Sequence, residues 1–199
     1  MLLIFTSGMK FSNRILPKWK SNRCFSSKEP KENHYDIVIA GGGMIGTTLA
    51  CVLGRNGKLS DKRILLLEAG AQKLWSLPEK YSNRVVSLNP GTHKLLNDIG
   101  AWRSIENSRF ATVKRLQVWD ALSDTSITFG DESELEDVSY VVENDLLLQA
   151  VTEVAKTIDN VEVSYNAKVK SYHLPEFQEN FVKINTENGN QYACDLLVS

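Results

Sequence analysis

The chain has 199 residues, 42% of them apolar, and a net charge of −1: enough for one domain with a sizeable core, without the basic excess of a general nucleic-acid binder. Its three cysteines, Cys24, Cys51 and Cys194, are odd in number and scattered, which argues against a disulfide framework or a CxxC site. His34, His93 and His173 are equally isolated, so no metal centre is expected.

The charge is unevenly spread. Lys10, Arg14, Lys18, Lys20, Arg23 and Lys28 all precede the first acid, Glu29, and setting these six cations aside leaves −7 on the remainder. Residues 1–28 are rich in Lys, Arg and Ser with apolar residues between, the composition of a mitochondrial transit peptide. Arg23-Cys24-Phe25-Ser26 has the pattern of a matrix-processing site, and the alternative is a plain basic tail. Met1 to Phe5 is apolar but far below the ~20 residues that span a bilayer, and no other stretch reaches that length.

Residues 35–199 read as the folded part. Ile37-Val38-Ile39-Ala40 predicts a buried strand, followed at once by Gly41-Gly42-Gly43-Met44-Ile45-Gly46, the GxGxxG spacing of a dinucleotide-binding turn. In that reading Gly41 makes the tight turn, Gly43 lets the backbone approach a pyrophosphate and Gly46 lets the next helix pack closely. Ala50 and Gly54 recur on the same helical face as Gly46. Ile64-Leu65-Leu66-Leu67 predicts a second buried strand ending in Glu68, whose carboxylate suits ribose hydroxyls. The segment Arg55 to Lys62 between helix and strand is long for such a connection and is expected to be a surface excursion.

Ala69-Gly70 ends that strand, and a polar loop runs to Arg84-Val85-Val86-Ser87-Leu88. Asn89-Pro90-Gly91-Thr92 signals a helix start, with Leu95, Leu96 and Ile99 as the apolar face, Gly100 as the stop and Trp102 and Ile105 as anchors. Lys114 to Trp119 alternates, with Val113, Leu116 and Val118 set against charged and polar neighbours; Ile127-Thr128-Phe129 is β-prone, and the two are expected to pair around Leu122-Ser123-Asp124. Asp131 to Asp137 is expected to be a solvated acidic loop. Tyr140-Val141-Val142 predicts a strand, leading to Asn144 or Asp145 as N-cap of a helix carrying Leu147, Leu148, Val151, Val154, Ala155 and Ile158 inward. Four strands close the chain, at Val161 to Tyr165, Ala167 to Tyr172, Phe181 to Thr186 and Tyr192 to Val198, with Asn188-Gly189 as a hairpin turn. The fold class is α/β: a Rossmann-like βαβ nucleotide-binding unit with an added β-rich element. Asp195-Leu196-Leu197-Val198-Ser199 is a buried-type strand that stops without a cap or tail, and a fragment is the expectation.

From Tyr35 to Ser199 the chain resembles the amino-terminal part of a flavin-dependent aromatic hydroxylase, in the branch serving mitochondrial ubiquinone biosynthesis. The resemblance rests on Tyr35-Asp36-Ile37-Val38-Ile39 with the glycine loop, Leu65 to Gly70, Tyr81-Ser82-Asn83-Arg84-Val85, Gly100-Ala101-Trp102, Leu116 to Ala121, and Val141-Val142-Glu143-Asn144-Asp145. It implies a Rossmann-like FAD-binding domain with part of a β-rich substrate domain, truncated. It places FAD pyrophosphate on Gly41, Gly43 and Gly46, the adenosine ribose on Glu68, and the phosphate or ribitol region on Arg84 and Asn144. Arg84 could equally be an ordinary loop cation, and Asn144 a helix cap.

The implied reaction is hydroxylation of the aromatic ring of a polyprenylated benzoate or phenol by O2, with electrons from a ferredoxin and its reductase. The resemblance further implies a peripheral protein in a biosynthetic complex on the matrix side of the mitochondrial inner membrane. Family members continue into a second FAD motif beyond the point reached by Ser199, so this stretch alone is expected to be inactive. No catalytic acid, base or metal ligand is nominated, and no nucleic acid is expected as a partner. Two other readings stay open: an NAD-dependent dehydrogenase, since Glu68 suits any adenosine ribose, and a truncated non-catalytic member of the complex.

Overall fold

The computed structural model describes residues 33–130, 137–175 and 181–199. The proposed leader, residues 1–28, and most of the acidic loop expected at Asp131 to Asp137 lie outside the described residues.

The chain opens with strand β1 (His34–Ala40), helix α1 (Met44–Gly54), a short 3-10 turn (Gly57–Leu59) and strand β2 (Ile64–Leu67). This is the βαβ unit expected from the apolar runs and the glycine spacing. β1 and β2 pair in parallel, Val38 opposite Leu65 and Ala40 opposite Leu67. Successive side chains of a strand point to opposite faces, so uninterrupted apolar runs belong where both faces are covered. Ile37, Ile39, Ile64 and Leu66 bury against Ala50 of α1 on one side; Tyr35, Val38, Leu65 and Leu67 pack with Ala167, Val182 and Ile184 on the other.

Next come β3 (Val85–Leu88), α2 (Pro90–Asp98), α3 (Trp102–Glu106), β4 (Ala111–Val113), β5 (Leu116–Trp119), β6 (Ser126–Phe129), β7 (Ser139–Glu143) and α4 (Asn144–Lys156). β3 and β4 flank β7 in a small antiparallel sheet, while β5 and β6 form a separate two-stranded ribbon. The expected pairing of Lys114 to Trp119 with Ile127 to Phe129 is this ribbon, while Val113 ends β4 in the other sheet. The polar loop after Gly70 runs up to Arg84, and Val85–Leu88 forms β3.

Four strands end the chain: β8 (Val161–Ser164), β9 (Val169–His173), β10 (Val182–Thr186) and β11 (Gln191–Val198). They do not form an appended β element. All four join the βαβ strands in one mixed sheet of order β8-β2-β1-β11-β10-β9. β8 and β11 lie parallel to β2 and β1, and β10 and β9 follow antiparallel. Ala167 falls outside β9, because the chain first turns through Asn166 at φ +55°. The Asn188-Gly189 turn is present, with Gly189 at φ +88° and the Thr186 N–H donating to Asn190 O at 3.0 Å.

Helices α1 and α4 lie side by side. Cys51 Sγ donates to Val151 O at 3.4 Å, and a Cβ on Gly54 would stand 2.8 Å from Ile158 Cγ2. Cys51 and Val151 each lie seven residues after the start of their helix, and Gly54, the last residue of α1, meets Ile158 just past the end of α4, so the helices run the same way and open their N-termini at the same end. Leu146, Leu147, Ala150 and Val151 of α4 meet Leu96, Ile99, Trp102 and Ile105 in one core. Leu95, expected on that inner face, is 40% exposed.

Candidate cofactor site

The site stands where β1 and β2 end and α1 begins. The Gly41 N–H donates to Leu67 O at 2.8 Å, drawing the turn onto the neighbouring strand end, and Gly41 takes φ +125°, a conformation that disfavours any side chain. Thr47 Oγ1 donates to Gly42 O at 3.0 Å and holds the loop against the first turn of α1. At Gly46 a Cβ would lie 2.0 Å from Gly41 O, so the close approach of helix to turn excludes any other residue. Gly43 differs: a Cβ there would meet nothing within 4 Å, and its φ is an ordinary −71°. Backbone geometry does not demand glycine at 43; open space above the loop is what glycine preserves.

Glu68 turns back over this bend. Its Oε2 accepts from the Gly42 N–H at 2.9 Å and its Oε1 from the Gly70 N–H at 2.6 Å. A carboxylate has about four acceptor positions. Two are used, so a diol can still be bound by the rest. Sequence reasoning assigned nothing to Gly42, yet a Cβ there would stand 2.6 Å from Glu68 Oε2. Its signal was the run of three consecutive glycines, one more than the motif requires. Beside Glu68 a shallow pocket is lined by Thr47, Thr152, Val163 and Tyr165. The Tyr165 hydroxyl is buried without a partner among the described residues, and burial first, then the Glu68 charge, raises its pKa.

Arg84 and Asn144, far apart in sequence, are neighbours in space: the Asn144 N–H donates to Arg84 O at 3.0 Å, continuing the pairing of Val85 with Glu143. The Arg84 side chain is exposed, and its guanidinium has no partner among the described residues. Asn144 is not an N-cap. It is the first residue of α4, and the capping position belongs to Glu143, whose side chain makes no cap hydrogen bond. Asn144 is thereby released from the capping role, and its Oδ1 is buried with no partner among the described residues. Asp145 is also within the helix.

Glu143 is held elsewhere, by a residue the sequence did not single out. Arg109 donates to it twice, Nε to Oε2 at 2.6 Å and Nη2 to Oε1 at 3.1 Å. The guanidinium and the Ser82 N–H, which donates to Oε1, hold the Glu143 carboxyl below its ordinary range. No local pattern links Arg109 to Glu143, since 34 residues separate them.

The expected plainness of the cysteines holds for the two described. Cys51 and Cys194 are fully buried and free, their thiols pushed up by burial to about 11 and about 12. Among the described residues no group of His, Cys, Asp and Glu could hold a metal ion, and no helix is long and apolar enough to cross a membrane.

No protein-family profile matches the chain. In sequence it is similar to ubiquinone biosynthesis monooxygenase COQ6, mitochondrial, of Xenopus tropicalis, 44% identical over 183 residues, covering 88% of this chain and 39% of that protein. The Homo sapiens protein of the same name is 42% identical over 171 residues, covering 82% and 36%. The chain thus spans about two fifths of the length of these curated relatives. In structure it is similar to PqsL, a probable FAD-dependent monooxygenase from Pseudomonas aeruginosa, with TM-score 0.63 at 17% identity over 83% of this chain and 42% of that one. The flavin-dependent monooxygenase PieE, solved with FAD and substrate, gives TM-score 0.58 at 17% identity, covering 84% and 30%. At these identities the structural likeness concerns the fold, a mixed α/β sheet.

Proposed function

The chain is homologous over most of its length to ubiquinone biosynthesis monooxygenases, a family of oxidoreductases, and from that premise we propose that the full-length protein binds FAD at the bend between β1 and α1. The observation that carries this reading is the contrast within one loop. Gly42 and Gly46 are small because protein atoms press on them, whereas Gly43 is small beside open space. A pyrophosphate lying there would face the free amides and positive dipole end of α1. Ribose hydroxyls would reach the unused acceptor positions of Glu68. The N-terminus of α4, opening at the same end, offers the buried Asn144 Oδ1 and the exposed Arg84 to the phosphate or ribitol part.

We assign to the full-length protein the hydroxylation of the aromatic ring of a polyprenylated benzoate or phenol, as the resemblance implies; the relatives' names, ubiquinone biosynthesis monooxygenase, support the reaction class. Bound flavin supplies the activation of O2 and its transfer to an electron-rich ring. The residues described here contribute binding and orientation: the bend fixes the pyrophosphate, Glu68 fixes the ribose, and Arg84 with Asn144 fixes the linker. Electrons from a ferredoxin and its reductase, peripheral attachment on the matrix side of the inner membrane within a biosynthetic complex, and import through residues 1–28 belong to the same proposal.

Purified full-length protein is expected to carry the visible absorbance of bound flavin; colourless protein retaining NAD instead would favour the dehydrogenase. Gly43→Val is expected to lower FAD content about tenfold while the melting temperature of the apoprotein is kept, because a Cβ there has no protein atom within 4 Å. Unchanged FAD content in that variant would place the cofactor elsewhere.

A further inference from the structure

Arg109 stands in the short connection between α3 and β4, away from every motif used above. Its side chain nevertheless gathers the end of the loop before β3. Beyond the fork on Glu143, Nη1 donates to Glu79 O at 3.3 Å and Nη2 to Lys80 O at 3.1 Å, and the guanidinium carbon lies 4.3 Å from the centre of the Tyr81 ring. All five contacts therefore fall on consecutive residues of the segment leading to Arg84 or on the acid that receives that segment. Phe110, the next residue, packs on Trp102 with ring centres 5.1 Å apart and anchors Arg109 to the core.

The hydrogen bonds form a closed circuit. Arg109 holds Glu143; Glu143 accepts the Ser82 N–H; Ser82 Oγ accepts the Arg84 N–H at 3.2 Å; Arg84 O accepts the Asn144 N–H at 3.0 Å; and Asn144 is bonded in sequence to Glu143. An ion pair with these burials, side chains 16% and 8% exposed, restrains far more than a surface pair does. Helix capping does not require it, since Glu143 offers no side-chain cap.

We propose that the Arg109–Glu143 pair is a positioning clamp for cofactor binding: it sets the loop 79–84 so that Arg84 and Asn144 present themselves together at the N-terminus of α4. The proposal rests on the FAD reading of that end. Lysine could replace the charge of Arg109 but not its planar fork, which reaches one carboxylate and two carbonyls at once.

The test compares the full-length protein with Arg84→Ala, Arg109→Ala, Arg109→Lys and the Arg84→Ala/Arg109→Ala double variant, reading FAD affinity by flavin fluorescence. Each alanine change is expected to weaken FAD about tenfold, the loss of one charged hydrogen-bonding group, and the double variant no more than the weaker-binding single. Arg109→Lys should resemble Arg109→Ala, and it carries the comparison if the alanine variant does not fold. Cleavage within residues 79–84 of the apoprotein by a protease reads the clamp without any cofactor, and should quicken in both Arg109 variants. FAD affinity within twofold of wild type in the Arg109 variants, or effects of Arg84→Ala and Arg109→Ala that simply multiply, would overturn the role in cofactor binding. Unchanged cleavage would overturn the clamp itself. A wild-type protein that binds no FAD sinks the site assignment and this role together, a result separate from either of those.

Discussion

At the scale of single residues, glycine has several reasons within six positions. Gly41 is required by its φ of +125°, Gly46 by a backbone oxygen that a Cβ would meet at 2.0 Å, and Gly42 by the carboxylate of Glu68. Only Gly43 is left for a ligand to explain. Glu143 shows the same dependence on context, because its ionisation is set by a distant cation. Its carboxyl is held below the ordinary value of 4.5, first by the hydrogen bond from Arg109 and then by the Ser82 amide. The folded state thus binds that proton more weakly than the unfolded chain. The resulting stabilisation is whole above about pH 4.5 and is lost as pH falls through the lowered value. Thermal melts of Glu143→Gln are expected to be flatter than wild type across that acid range, with a lower melting temperature at neutral pH. Parallel curves for the two proteins would show that the pair contributes nothing to the pH dependence.

Among the elements, α1 and α2 are stabilised by different means. α1 has no side-chain cap, no acid in its first turn and no base in its last; it is held by Ala50 and Cys51 buried against the sheet and α4, with Gly54 closing onto Val161. An uncapped N-terminus leaves amides free, as an anion site needs. α2 is closed at its start: Asn89 Oδ1 accepts from the Thr92 N–H at 2.8 Å, and Pro90 occupies the first turn. Asn89→Ala should cost about 1 kcal/mol in denaturant melts, the usual value of such a cap. Lys94→Ala, which breaks only an exposed pair with Asp98, should stay within about 0.5 kcal/mol. Equal losses in the two variants would mean that the cap is not what stabilises this helix. The ribbon β5–β6 is the opposite case, every residue exposed, including Trp119 at 70% and Ile127 at 57%. Two strands without cover are marginal alone.

Taken whole, the molecule is organised about β1, which lies between β2 and the last strand, β11. Hydrogen exchange should therefore be slowest at the amides of β1, β2 and β11 and fastest in β5–β6, since strand exchange follows burial and pairing on both sides. Rapid exchange of β11 at the rate of the ribbon would contradict the strand order.

Local chemistry carried much of this protein into view. Apolar runs both faces of which are buried announce β1 and β2, three glycines and a following small-residue face announce the turn and α1, and Asn-Pro-Gly-Thr announces α2, because each depends on neighbours within a few residues. The sequence by itself therefore determined the βαβ unit and the placing of Gly41, Gly43, Gly46 and Glu68 at its open end. Only the tertiary structure decided that β11 lies beside β1, that Glu143 rather than Asn144 occupies the capping position, and that Arg109 reaches the loop carrying Arg84. The first and last of these are contacts between residues tens to more than a hundred positions apart, and no periodicity in the chain encodes which partner such a group will meet; the helix start is local, but it was fixed by the pairing of Glu143 with Val85.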